Sequence, residues 1–217
     1  MTITKSQRRL VLVNSLSRYR TGVWKVIYQS GEWAGKTITM TALDDDYAHI
    51  HPCTGGFATR SRFLSRLKAA ATSPGTKAVD VFCQLHGSDD VFHFYDEDVQ
   101  ATRLRDDILA LGLPDNLRLF YNTCCYGDSQ NSNEMLEAGF ATTIGSKRIN
   151  CTAAVEFPIF CSMWQLNSKV ADIMALADNP VTRAAMDATI KATTPMKDTD
   201  SQKVVRGNAA LRISSSP

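Results

Sequence analysis

No apolar run in this 217-residue chain approaches the roughly 18 residues that a membrane span needs. Nor is there an excess of one charge. Its 24 Lys and Arg face 22 Asp and Glu, a formal charge of +2, which gives no electrostatic reason to expect a nucleic-acid partner. Residues 1–9 are mostly polar, and only a short apolar stretch, residues 10–13, follows them. Without a longer apolar stretch and a small-residue cleavage site, this does not read as a secretory signal. Cysteine is too sparse for a disulfide scaffold. Six in 217 residues, with no export signal, read as thiols in a reducing cytoplasm. Internal repeats and long low-complexity linkers are also missing. The composition is ordinary for a globular protein, with 44% apolar and 21% charged residues, which excludes disorder, collagen and coiled coil. A chain of this length buries a core without metal or disulfide staples, and residues 1–217 read as one domain.

Apolar runs of strand length occur at residues 9–14, 78–85 and 117–122, with a weaker candidate at 141–145. Residues 23–29 and 36–42 are rich in β-branched and aromatic side chains. With Ser30-Gly31-Glu32 between them they read as a hairpin, around which Trp24, Tyr28 and Trp33 would pack. Helical spacing marks residues 57–71, 100–111, 132–138, 152–166, 170–177 and 179–193. Strands alternating with helices predict a three-layer α/β/α sandwich around a mainly parallel central sheet. A core of residues 78–193 with a separate N-terminal hairpin unit is the alternative.

In an open parallel sheet, functional residues gather at the carboxyl ends of strands. The run 78–85 is followed by His86-Gly87-Ser88-Asp89-Asp90, and the run 117–122 by Thr123-Cys124-Cys125-Tyr126-Gly127-Asp128. The intervening residues are enough for one right-handed crossover, which would set the two strand ends on one edge. A thiol beside an imidazole is a nucleophile beside its base. An imidazolium or a helix N-terminus would lower the thiol pKa, and the cap-type residues Asp128, Ser129, Asn131 and Ser132 announce such a helix. Gly87 lets the backbone approach a substrate, and its N–H, with that of Cys125, is a candidate oxyanion donor.

Val81-Phe82-Cys83-Gln84-Leu85-His86-Gly87 and Leu119-Phe120-Tyr121-Asn122-Thr123-Cys124-Cys125-Tyr126-Gly127 resemble the two catalytic motifs of the caspase-like (clan CD) cysteine peptidases. That superfamily includes caspases, metacaspases, legumain, clostripain, gingipains, separase and CHAT-domain peptidases. The segment from Leu136 to Ser146 resembles the strand that follows the catalytic cysteine. Gly207-Asn208-Ala209-Ala210-Leu211-Arg212-Ile213 resembles the closing stretch of gingipain- and CHAT-type domains. The resemblance spans residues 78–213. It implies a caspase-like fold and a peptidase using Cys125 as nucleophile and His86 as acid and base. It implies a protein or peptide substrate and no cofactor for the chemistry. The Cys-x-Gly register favours Cys125 over Cys124, whose side chain should point away. Relatives line the primary specificity pocket with the residue two before the nucleophile. Here that residue is Thr123, which is neutral and gives no reason to expect a basic P1 residue. Asp89, Ser146, Lys147 and Arg148 are further pocket candidates.

Plainer readings stand beside these. His86 could end a strand without a role, and Asp89 and Asp90 could form a solvated turn. Cys83, Cys124, Cys151 and Cys161 sit in apolar patterns and read as core. His93, in an alternating run, reads as the exposed face of a small strand. A caspase-like domain can also serve as a silent binding or signalling module. His49, His51 and Cys53 are zinc-type ligands without a second ligand pair, so a zinc-binding module is the least favoured alternative and no metal is expected. The 44–56 segment reads as a loop that could border the cleft. Oligomeric state, P1 preference and any regulatory partner stay open at this level.

Overall fold

The first strand, β1 (Arg8–Ser15), sends alternate side chains to opposite layers, as a pleated backbone must. Val11 and Val13 enter one apolar layer, and Leu10 and Leu12 the other. Burial on both faces is the mark of a central parallel strand. The computed structural model describes residues 2–18 and 20–217, and the Trp24 side chain lies outside the described atoms. Helix α1 (Gly22–Leu43) leads to β2 (His49–Thr54), then α2 (Arg60–Thr72) and β3 (Ala78–Ser88). Two short strands, β4 (Val91–His93) and β5 (Asp98–Gln100), precede α3 (Ala101–Ala110) and β6 (Leu117–Asn122). The chain continues through α4 (Gln130–Glu137), β7 (Thr142–Ser146), α5 (Ala153–Gln165), α6 (Val170–Ala177), α7 (Pro180–Thr193) and β8 (Lys203–Gly207).

The main sheet runs β2, β1, β3, β6, β7, β8, and every neighbouring pair is parallel except β7 with β8. A small antiparallel flap, β4 and β5, hangs on the last residues of β3, with His86 opposite His93. One apolar layer packs α2, α3 and α4 on the sheet through Phe63, Leu67, Leu104, Ile108 and Met135. The other packs α1, α5 and α6 through Leu43, Phe157, Phe160, Trp164 and Ile173. This is an α/β sandwich of mainly parallel strands. Among the described residues, no helix is long and apolar enough to cross a membrane.

Residues 23–29 and 36–42 do not form the hairpin that their composition suggests; both lie within α1. Topology overrides propensity here. β1 and β2 are parallel neighbours, and parallel strands need a crossover rather than a hairpin. The buried stripe of α1 is Glu32, Gly35, Thr39 and Leu43, spaced three or four apart but mostly small or polar. Val23, Val26, Ile27 and Trp33, the side chains that suggested strands and packing, are more than half exposed. β1 lies between β2 and β3 in the main sheet, so among the described residues the N-terminal strands share one sheet with the strands that follow. The 44–56 segment is likewise not a loop, since it contains the edge strand β2.

At the opposite end of the sheet from the two motifs, Arg118 and Asp80 form a fully buried ion pair, with Arg118 Nε 2.9 Å from Asp80 Oδ1. The Tyr47 hydroxyl donates to Asp80 (2.5 Å), and Trp164 Nε1 donates to Tyr47 (2.9 Å). Arg118 also donates to the carbonyls of Ile213 (2.6 Å) and Ser215 (2.7 Å), which ties the C-terminal segment under the sheet.

Candidate active site

β3 and β6 are parallel neighbours and end on the same edge. The Thr123 N–H donates to the Cys83 carbonyl (2.9 Å), which carries the chain past β6 along the flank of β3. Gly87 then meets the cysteine segment at very close range. A Cβ there would lie 2.7 Å from the Cys125 carbonyl oxygen and 2.9 Å from Cys124 Cβ. Only glycine allows that approach. His86-Gly87 and Cys124-Cys125 are therefore packed against each other.

The two cysteines have different surroundings. Cys124 is 1% exposed, and its thiol lies 3.9 Å from that of Cys83 inside the core. Cys125 is only partly buried. The chain turns sharply after it: Tyr126 has φ +55°, a left-handed conformation uncommon outside glycine. The turn is held by the Tyr126 N–H donating to the Arg148 carbonyl (2.8 Å) and the Ser132 hydroxyl donating to the Gly127 carbonyl (2.8 Å). From beneath, Gly145 of β7 presses on the same turn, where a Cβ would stand 2.2 Å from the Gly127 carbonyl carbon. α4 begins after Ser129, four residues beyond Cys125.

His86 Nε2 lies 2.6 Å from the Leu16 carbonyl, just past the end of β1. A carbonyl only accepts, so Nε2 carries the proton and Nδ1 is left as the basic nitrogen. The Tyr28 ring of α1 meets the imidazole edge-on at 5.3 Å, and the Arg20 guanidinium stacks over Tyr28 at 4.7 Å. Glu32 fixes this corner by accepting from the backbone N–H groups of Leu16 and Ser17, both at 2.6 Å. Burial lowers the His86 pKa, opposed in part by the Leu16 hydrogen bond. Burial also raises the Cys125 thiol, opposed by the Asn150 backbone amide and by the positive charge of Lys203. Both shifts favour a neutral thiol and a neutral imidazole, the reverse of the lowering that a helix N-terminus and an imidazolium were expected to bring.

The pocket candidates are scattered. Thr123 is buried; its hydroxyl donates to the Cys83 carbonyl (3.3 Å), and its own carbonyl accepts from Asn150 Nδ2 (2.9 Å). Ser146 is fully buried and donates to the Cys124 carbonyl (2.8 Å), bracing the cysteine segment. Asp89 is exposed in the turn between β3 and β4. Lys147 is exposed and bonded to Gln202 (2.8 Å). Arg148 pairs with Asp198, which also accepts from the Tyr126 hydroxyl (2.6 Å). Cys83 and Cys161 are core residues, whereas Cys151 is only partly buried.

His49, His51 and Cys53 follow one another on β2, with the two imidazoles 4.4 Å apart. Among the described residues they belong to no group of three or more metal-ligating side chains. Burial pushes Cys53 up to about 11 and, with neighbouring Arg66, Arg9 and His49, takes His51 down to about 4. Sequence reasoning missed Leu16, Tyr28, Asn150, Glu156 and Lys203. Glu156 carries a visible signal, as a lone carboxylate in the apolar run of α5.

No family model and no curated protein sequence matches this chain. Solved structures do. The chain is similar to the Drosophila initiator caspase Dronc at a TM-score of 0.58 and 11% identity, covering 98% of this chain and 84% of that one. It is similar to pro-sf-caspase-1 at 0.57 and 10% identity, covering 95% and 93%. It is also similar to iotapain, a secreted C11 cysteine protease from Bacteroides thetaiotaomicron, at 0.50 and 13% identity, covering 94% and 67%. The chain has the caspase-like fold.

Proposed function

We propose that this protein is a cysteine peptidase in which Cys125 is the nucleophile and His86 the acid and base. The observation that carries the reading is the packing of His86-Gly87 against Cys124-Cys125, with His86 held to Leu16 through Nε2 so that Nδ1 is free to take a proton. Cys125 is preferred over Cys124 because the Cys124 thiol is spent inside the core beside Cys83.

The neutral resting pair sets the order of events. As the Cys125 sulfur attacks the peptide carbonyl carbon, its proton passes to His86 Nδ1. The carbonyl oxygen becomes an oxyanion, for which the N–H groups of Gly87 and Cys125 are the proposed donors. The imidazolium gives its proton to the departing amine as the C–N bond breaks, leaving a thioester. Water then adds to the thioester carbonyl and gives a proton to His86. The C–S bond breaks, the acid leaves and the thiol is regained. No cofactor enters this scheme.

A silent binding or signalling module is the second reading, favoured by the burial that raises the Cys125 thiol. A peptide probe with a thiol-reactive group separates the two. Under the peptidase reading it labels Cys125 and no other cysteine, and labelling requires His86. Cys125→Ala then abolishes peptide hydrolysis with an unchanged melting temperature. Full hydrolysis by that variant would sink the assignment.

A further inference from the structure

Behind Cys125 lies a buried ion pair that the proposed chemistry does not use. Lys203, the first residue of β8, has its ammonium 2.5 Å from the Glu156 carboxylate of α5, and neither side chain reaches solvent. Lys203 Nζ also donates to the Ser201 carbonyl (3.0 Å) and to Asn150 Oδ1 (3.1 Å), so its three protons have three acceptors. Glu156 accepts from the Tyr121 hydroxyl (2.5 Å) and from Thr152 Oγ1 (3.2 Å). Such a pair is a poor device for stability, since apolar residues of equal volume usually do as well or better.

Its connections point to another use. Asn150, held by Lys203, donates from Nδ2 to the Thr123 carbonyl (2.9 Å), two residues before Cys125. The backbone amide of the same Asn150 opposes the rise that burial imposes on the Cys125 thiol pKa. Glu156 holds Tyr121, four residues before Cys125 on β6. We propose that the Lys203–Glu156 pair is a positioning group for Cys125, clamping Asn150 and through it the segment that presents the thiol. The proposal rests on the peptidase reading for its purpose, but it concerns thiol reactivity and is tested without a substrate. Cys124, Cys151 and Lys203 act on the Cys125 thiol, Tyr126 adjoins it, and His86 lies on the segment packed against it. Lys203 is the one that favours the thiolate. Lys203 itself faces Glu156 and Cys151, with Asp187 of α7 bonded to the adjoining Ser201.

The test is the alkylation rate of each cysteine with iodoacetamide against pH, read by mass spectrometry on the full chain. The variants are Lys203→Met/Glu156→Gln, Asn150→Ala and His86→Ala, each with a melting curve. The double variant keeps side-chain volume and buries no unpaired charge. In it the Cys125 midpoint is expected to rise by about one pH unit and the rate at pH 7 to fall roughly tenfold. Asn150→Ala, with the ion pair intact, should slow Cys125 in the same direction, and it decides the matter if the double variant does not fold. Cys125 rates within about twofold of wild type in the folded variants would overturn the proposal. If His86→Ala leaves Cys125 unchanged while the other variants slow it, the peptidase reading fails and the positioning role stands. The reverse pattern removes the positioning role alone.

Discussion

Gly87→Ala is the sharpest perturbation of the proposed dyad. Gly87 is not among the glycines with positive φ, so alanine is compatible with the local backbone and its effect comes from the new methyl group alone. That carbon would stand 2.7 Å from the Cys125 carbonyl oxygen, 2.9 Å from Cys124 Cβ and 3.3 Å from the Val91 carbonyl oxygen. Two of these atoms are backbone, and the third is fixed to it. Opening the first contact to an ordinary 3.4 Å separates the strand end from the cysteine segment by about 0.7 Å. A displacement near 1 Å in reacting groups can cost on the order of 100-fold in rate. Overpacking of this size costs about 1–3 kcal/mol of stability, which lowers the melting temperature of a chain this long by roughly 2–12 °C. The expected result is thus a folded protein with a large loss of function. The assay is kcat/KM on a cleaved peptide, with the Cys125 alkylation rate as a measure that needs no substrate. Retention of wild-type values in both, in a protein of unchanged stability, would refute the packing argument and the dyad built on it.

Three further outcomes follow from particular contacts. Arg118→Met leaves Asp80 buried without its cation and frees the C-terminal segment, and urea unfolding should show a loss of about 3–5 kcal/mol; Arg118→Met/Asp80→Leu should recover most of it. Gly145→Ala places a carbon 2.2 Å from the Gly127 carbonyl carbon and 2.5 Å from the Asp128 nitrogen, both backbone. It should lower the yield of folded protein more than Gly87→Ala does, and equal yields would count against the tight turn. His51, held near pKa 4 when folded, binds its proton more readily in the unfolded chain, whose histidine titrates near 6.5. Its contribution is therefore complete above pH 6.5 and is lost as pH falls towards 4, by up to about 3 kcal/mol. His51→Leu should flatten the stability slope across that window, and an unchanged slope would clear His51 of the effect.

The legible parts of the fold are those in which local pattern and tertiary role agree. The runs ending at Leu85 and Asn122 are apolar on both faces because both layers of helices cover them, and a one-dimensional pattern carries that fact directly. α6 was readable to the residue, because Val170, Ile173, Met174 and Ala177 are both its apolar stripe and its buried one. α1 was not readable, because these two properties separate there. Its core-facing side is cut down to Glu32, Gly35 and Thr39. A Cβ on Gly35 would stand 2.4 Å from Gln84 Oε1, so the helix comes too close to β3 for large side chains. Its large apolar side chains are left on the outer face, where a hydropathy reading mistakes them for a strand.

The same distinction governs the site. His86-Gly87 and Cys125-x-Gly127 stand at strand ends, so locating the strands locates them, and their approach follows from one parallel crossover. What orients them comes from remote segments. Leu16 acts through a carbonyl that every residue type possesses, so no sequence pattern can announce it. Asn150 acts through an amide that any loop could carry. Lys203 reads as one more charge near a terminus until Glu156, forty-seven positions earlier, is seen beside it. Only Glu156 could have been suspected alone, because a carboxylate does not enter an apolar helix stripe without a partner to keep it charged or a proton to neutralise it. A buried charge in an apolar run is thus a question about a distant residue. Here the answer lies behind the cysteine, where Lys203 holds the Asn150 side chain that bonds the Thr123 carbonyl.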